Sequence, residues 1–271
     1  MGSVEQGIYR ARVTSGGALV RLVRYRDSLV LLTARALKVR YRRSVIGFGW
    51  ALLYPLIAMT VLTAVFSNVF PEIPQYSLYV VIGVLVWGFF SLACVQAMDA
   101  LLGGAPVLRK VYVPSAIFPI AAVGANFANF LLALLVLPIL MAYLGAWPGL
   151  HPLWLATGLL SLTAFTLGVG LMLAAVNVFF NDVRYFFEAL LLVWFYATPV
   201  VYPAQVIPDH LSALLVLNPL YWFLELLRAA LYRGSPPAEA ALIVAPLIGI
   251  GALAVGWVCY SRLERRFHLY L

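Results

Sequence analysis

Residues 111–181 read VYVPSAIFPIAAVGANFANFLLALLVLPILMAYLGAWPGLHPLWLATGLLSLTAFTLGVGLMLAAVNVFFN, and the stretch contains no Asp, Glu, Lys or Arg. An ionised side chain at the centre of a bilayer costs several kcal/mol, so a charge-free run of this length marks chain that sits in hydrocarbon. It is too long for a single crossing of ~30 Å at ~1.5 Å per residue. The turn-forming Gly145-Ala146-Trp147-Pro148-Gly149-Leu150-His151-Pro152 divides it into two helices, expected spans three and four.

Working outward by the same criterion, span one runs from Ser44 to Pro71, span two from Ile73 to Met98, span five from Ala189 to about Tyr202 and span six from Ala240 to Ser261. Leu211 to Leu224 is uncharged but short, which suits an interfacial or re-entrant piece between spans five and six. The expected fold is an all-α membrane protein. Residues 1–44 form an N-terminal segment with an amphipathic interfacial helix, and 45–271 a six-helix transmembrane domain. A loop at 99–115, a second turn at 181–188 and a re-entrant segment at 204–236 interrupt that domain.

Composition agrees. Of 271 residues 64% are hydrophobic and 10% charged, with mean hydropathy +0.98, which excludes a water-soluble globule and a disordered chain. The net charge of +8 arises from basic residues beside apolar runs, pointing to lipid and away from nucleic acid. With six spans, 16 of the 18 Lys and Arg fall on one side and only Arg228 and Arg233 on the other, so both termini are expected in the cytoplasm. The first apolar run follows some 43 Arg-rich residues without a cleavage site, so it is expected to remain a span and not a signal peptide. Cys94 and Cys259 then lie toward the cytoplasmic ends of spans two and six and are expected to stay reduced.

Two cytoplasmic segments stand out. Leu22, Tyr25, Leu29, Leu32, Ala36 and Val39 recur at helical spacing, flanked one position earlier by Arg21, Arg24, Ser28, Arg35, Lys38 and Arg42. Such a helix lies in the headgroup layer, either as a topological anchor or as a cationic collar handling an anionic lipid-linked cargo. In the loop after span two, Gly103 and Gly104 are expected to bend the chain before a short amphipathic piece closed by Pro114. Its apolar Val107, Leu108, Val111 and Tyr112 are covered either by the membrane or by a partner protein.

The stretch 38–55, KVRYRRSVIGFGWALLYP, resembles the opening of the type 2 ABC-transporter permeases that export polysaccharides. Three further blocks match in order: RKVYVP at 109–114, NVFFNDVR at 177–184, and TPVVYP at 198–203 followed by LNPL at 217–220. Together they cover roughly residues 20 to 271. The resemblance implies a homodimer in the bacterial cytoplasmic (inner) membrane docked on two copies of a separate ABC ATPase. Its cargo would be an undecaprenyl-diphosphate-linked O-antigen, teichoic acid or capsule polymer. Docking and coupling would fall to Val107, Leu108, Arg109, Lys110, Val111, Tyr112, Pro114, Asp182 and Arg184, and contact with the lipid diphosphate to Arg35, Lys38, Arg40, Arg42 and Arg43. No Gly-x-x-x-x-Gly-Lys-Ser/Thr loop occurs, so ATP and Mg are expected on the partner, with no cofactor in this chain.

Aromatic residues crowd span five and the segment after it, and Phe195, Tyr196, Tyr202 and Trp222, with the helix-bending Pro199, are candidates for a channel or gate; most such rings serve as packing or interfacial belt. A membrane-embedded transferase would need acids or histidines gathered at one face. His151, His210 and His268 are scattered and no cluster has metal-ligand spacing. A proton- or sodium-driven transporter would carry ionisable groups near the midplane, where the predicted spans have none.

Overall fold

A backbone polar group left unpaired in hydrocarbon costs several kcal/mol, and a helix satisfies its own. The computed structural model describes residues 25–110, 113–147, 151–208, 210, 212–267 and 270, and among them all regular structure is helical. The helices are α1 (Arg26–Arg40), α2 (Trp50–Phe66, led by a 3-10 turn), α3 (Tyr76–Leu108), α4 (Ile117–Leu134), α5 (Val136–Leu144), α6 (Pro152–Asn177), α7 (Asp182–Ala197), α8 (Ser212–Leu217), α9 (Pro219–Arg228) and α10 (Glu239–Glu264). A π-helical turn, Ala229–Arg233, extends α9.

Five stretches are long and apolar enough to cross a membrane: Gly47–Phe66, Tyr76–Leu108, Ile117–Leu144, Pro152–Asn177 and Glu239–Glu264. They correspond to expected spans one, two, three, four and six. The expected fifth, Ala189 to Tyr202, is instead the 16-residue α7, which begins at Asp182 and ends at Ala197. Asp182 favours the positive N-terminal end of a helix, and Pro199 pushes Thr198 into an extended conformation, ending it. From Asp182 onward the chain runs along α3. Arg184 pairs with Asp99, Phe195 meets Trp87 edge-on at 5.3 Å, and the Tyr76 hydroxyl donates to the Val201 carbonyl at 2.7 Å.

The glycines after span two do not bend the chain. α3 continues through Gly103, Gly104 and Pro106 to Leu108, so much of the expected loop is helix. Gly104 serves packing instead: a Cβ there would lie 2.6 Å from the Phe118 ring.

α3 is the most buried span and the axis around which the others gather. α6 and α10 form the closest pair. A Cβ on Gly168 would meet the Ala252 carbonyl oxygen at 2.3 Å, one on Gly256 the Gly168 oxygen at 2.0 Å, and one on Gly249 the Ser161 oxygen at 2.6 Å. Small residues at this seam let backbones touch, which is how helices gain attraction where lipid and side chain are equally apolar.

α9 has a depth that its neighbours define. Phe223 packs at a tilt against Phe165 in the middle of α6 at 5.4 Å, Leu227 covers Gly158, and the Gly234 carbonyl lies 3.3 Å from His151 Nε2 at the start of α6. Its start is fixed by Asn218, whose Oδ1 accepts from Leu220 N (3.1 Å) and Trp194 Nε1 (3.0 Å). Its Nδ2 donates to Ala197 O (3.1 Å) and Thr198 Oγ1 (2.9 Å). Asn218→Ala is expected to destabilise the bundle by about 2 kcal/mol, from a lost cap and unpaired buried groups. A thermal melt of the detergent-solubilised chain checks this, and an unshifted midpoint would contradict it.

Candidate functional site

α1 packs on α4, where Gly124 leaves room for Thr33, whose Oγ1 would lie 3.4 Å from an added Cβ. The covered face includes Leu29, Leu32, Thr33, Leu37 and Arg40, whereas Ala36 and Val39 are exposed. The predicted apolar stripe is thus rotated, because the inner end of α1 is held by polar contacts that periodicity does not register. Leu22, Arg21 and Arg24 lie outside the described residues.

Those contacts centre on Arg40. Its Nη2 donates to Gln96 Oε1 (2.6 Å) and Asn126 Oδ1 (2.8 Å). Asn126 Nδ2 donates to Gln96 Oε1 (2.9 Å) and Ala122 O (2.8 Å), and the Tyr41 hydroxyl bonds Asn129 Oδ1. Nη1 of Arg40 is buried without a partner. The guanidinium, Asn126 and Asn129 line one end of a groove of about 770 Å³ between α1, α2, α3 and α4, whose walls include Trp50, Tyr54, Pro55, Phe89 and Phe130. A cation with an unmet donor, set at the end of an aromatic-walled groove, can take an anionic headgroup and leave its apolar remainder along the wall. Of the predicted headgroup cations only Arg40 is drawn inward, while Arg35, Lys38, Arg42 and Arg43 are exposed. Gln96, Asn126, Asn129 and Tyr41 were missed from sequence. Their signal is amide side chains inside otherwise apolar spans, with Asn126 and Asn129 three apart on one helical face.

At the end of the bundle holding residues 99–116 and 177–188, Val107, Arg109, Lys110 and Asp182 are exposed, whereas Leu108 and Pro114 are partly covered. Val111 and Tyr112 lie outside the described residues. Arg184 bridges Asp99 (3.0 Å) and Glu188 (3.1 Å), tying the start of α7 to α3. The two predicted docking elements are therefore mechanically joined. Phe180 and Tyr185, both exposed beside Asp182, were missed. Tyr260 donates to Ser115 Oγ (2.8 Å) and Ser115 to Glu264 Oε1 (2.6 Å), joining the start of α4 to the end of α10.

Of the gate candidates, Tyr196 is exposed and Phe195 half-buried. The Tyr202 hydroxyl donates to Tyr196 O at 2.6 Å. Trp222 is buried with Nε1 bonded to Val216 O at 2.9 Å. Pro199 is buried as an acceptor for Arg228, whose Nη1 and Nη2 donate to the Pro199 (2.8 Å) and Val200 (2.9 Å) carbonyls. Arg228, 6% exposed, stacks over Tyr79 at 3.6 Å in space left by Gly83. Burial pushes this guanidinium below its ordinary pKa, opposed by Tyr79 and Glu225. The spans themselves carry no such group, but the segment between α7 and α10 does.

Among the described residues no group of His, Cys, Asp and Glu is arranged to hold a metal ion.

Residues 27–232 match the family described as ABC-2 type transporter. The chain is 36% identical over 259 residues to the O-antigen export system permease protein RfbA of Myxococcus xanthus, covering 92% of this chain and 97% of that protein. It is 27% and 28% identical to two proteins of the same description from Klebsiella pneumoniae, each match covering 89% of this chain and 93% of theirs.

Proposed function

Since this chain belongs to the ABC-2 type transporter family, we propose that it is the permease through which an ATP-driven exporter moves an undecaprenyl-diphosphate-linked O-antigen-type polysaccharide out of the cytoplasm. The carrying observation is Arg40, a half-buried cation whose buried Nη1 is unpaired at one end of the aromatic groove. It takes the diphosphate, Gln96, Asn126 and Asn129 hold it in place, and the isoprenoid tail lies along the exposed apolar side of α2, where Tyr54, Ile57 and Val61 face outward. The family names of the relatives favour O-antigen over teichoic acid or capsule.

α7 serves as the sixth crossing, as its contacts along α3 support, and α8–α9 form a re-entrant piece that returns at Gly234. Sixteen of the 18 basic residues then lie with both termini in the cytoplasm. Two copies of the chain pair in the inner membrane and sit on two ABC ATPase subunits, which supply ATP and Mg. The ATPase grips the 107–114 loop and the turn at Asp182. Because Arg184 joins α7 to Asp99, closure of the ATPase shifts α3 and α7 together.

Co-reconstitution tests this. Vesicles holding the permease with its ATPase should export lipid-linked polymer on addition of ATP, and the permease alone should not. In the complex, Arg109→Glu or Asp182→Arg should lower stimulated ATPase activity and export together while the bundle stays folded. Sustained export by the permease alone, or full coupling in both variants, would count against the assignment.

A further inference from the structure

At the end of the bundle opposite Arg109 a second cavity, of about 580 Å³, opens between the 72–74 turn, the start of α3, the 199–206 segment and α9. Its chemistry differs from that of the Arg40 groove. Rings of Tyr79, Tyr221 and Tyr232 meet the charged heads of Glu225, Arg228 and Arg233, with Glu72 and Gln205 at the exposed rim. The lining is held by ties already satisfied within it. The Tyr79 hydroxyl donates to Tyr202 O at 2.9 Å, the Tyr232 hydroxyl to Pro74 O, and Arg233 pairs with Glu225. One buried donor is unmet: Nε of Arg228, a side chain more than nine-tenths buried that lines this cavity.

Two acids stand against two arginines in the lining, so the cavity favours neither a free anion nor a free cation. A lipid tail would bury the Glu225–Arg233 pair in hydrocarbon and leave Arg228 Nε without an acceptor. A neutral polyhydroxylated ring supplies that acceptor and keeps the charged pair hydrogen-bonded. Its C–H face lies on tyrosine, its hydroxyls donate to Glu225, and one hydroxyl oxygen accepts from Arg228 Nε.

We propose that this cavity is a glycan-binding subsite, where a segment of the exported polymer rests as it emerges. The proposal rests on the export function above and adds a site for the sugar part of the cargo. Arg228 is the positioning residue, since its guanidinium holds the 199–200 backbone with one side and offers Nε to the sugar with the other.

The test uses the full chain with its ATPase in cells that make the polymer. The photoreactive residue p-benzoylphenylalanine is placed singly at position 205, an exposed rim position that leaves packing untouched, and at position 232. A control carries it at position 143, where Tyr143 is 85% exposed at the same end of the bundle. Irradiation should give permease adducts at 205 and 232 that periodate oxidation removes. At 143, or when glycan synthesis is blocked, they should be lost. Glu225→Ala should reduce the adduct at 205 severalfold at wild-type protein level. Continued export with no glycan adduct at 205 would overturn the subsite alone, as would equal adducts at 205 and 143. Unchanged surface polysaccharide after deletion of the gene would overturn the export function and the subsite with it.

Discussion

Gly256→Leu, and even Gly256→Ala, is expected to prevent accumulation of folded permease, whereas Gly251→Ala on the same helix is not. The cause is distance. A Cβ at position 256 would lie 2.0 Å from the carbonyl oxygen of Gly168, and that backbone has no flexible end to move aside. α10 would have to withdraw from α6 along the closest seam in the molecule, also breaking the Gly168–Ala252 and Gly249–Ser161 contacts. Overpacking typically costs 1–3 kcal/mol, and a whole-helix displacement puts the loss on the order of 3 kcal/mol or more. Around Gly251 nothing lies within 4 Å, so alanine there gains up to about 1 kcal/mol of helix propensity. Fluorescence-detected size-exclusion of solubilised membranes separates the cases: a monodisperse peak for Gly256→Leu would show that the seam is not needed.

The second large effect is expected at Arg40. Arg40→Ala should lower export about thirtyfold at wild-type protein level, corresponding to the ~2 kcal/mol lost when a partly buried, hydrogen-bonded charge is truncated. The fold should survive, because Asn126 still donates to Gln96 and Ala122. Arg40→Lys should recover little, since Nη2 alone makes both bonds to Gln96 and Asn126 and an ammonium has no second nitrogen to stand for the unpaired Nη1. Arg35→Ala and Lys38→Ala, on the exposed face of α1, should change export less than about twofold. Measured against polymer concentration, the Arg40 defect should appear mainly in apparent affinity for the lipid-linked substrate. Normal export in Arg40→Ala would remove the groove from the pathway.

Five of the six expected spans were legible because charge is excluded from hydrocarbon, a rule that acts residue by residue; Val111–Asn181 divides where Gly145, with φ of 64°, closes α5. What sequence could not supply depended on tertiary partners. Gly103 and Gly104 read as a bend until Phe118 is seen to need the missing Cβ. Arg228 read as a residue of an external loop, yet two carbonyls and a tyrosine face from distant segments take it into the core. The cationic set before span one was visible as a group, but its periodicity could not single out Arg40, because Gln96 and Asn126 sit 56 and 86 residues away.

The 16 residues of α7 reach only about 24 Å, against roughly 30 Å of acyl chains. Phe186, Val193 and Tyr196 turn outward along it, so with α7 as the proposed sixth crossing, lipid beside it would have to compress by about a turn's height or let headgroups dip inward. Were α7 the sixth crossing proposed above, the leaflets would be drawn together beside α3, the helix that lines both the Arg40 groove and the tyrosine cavity.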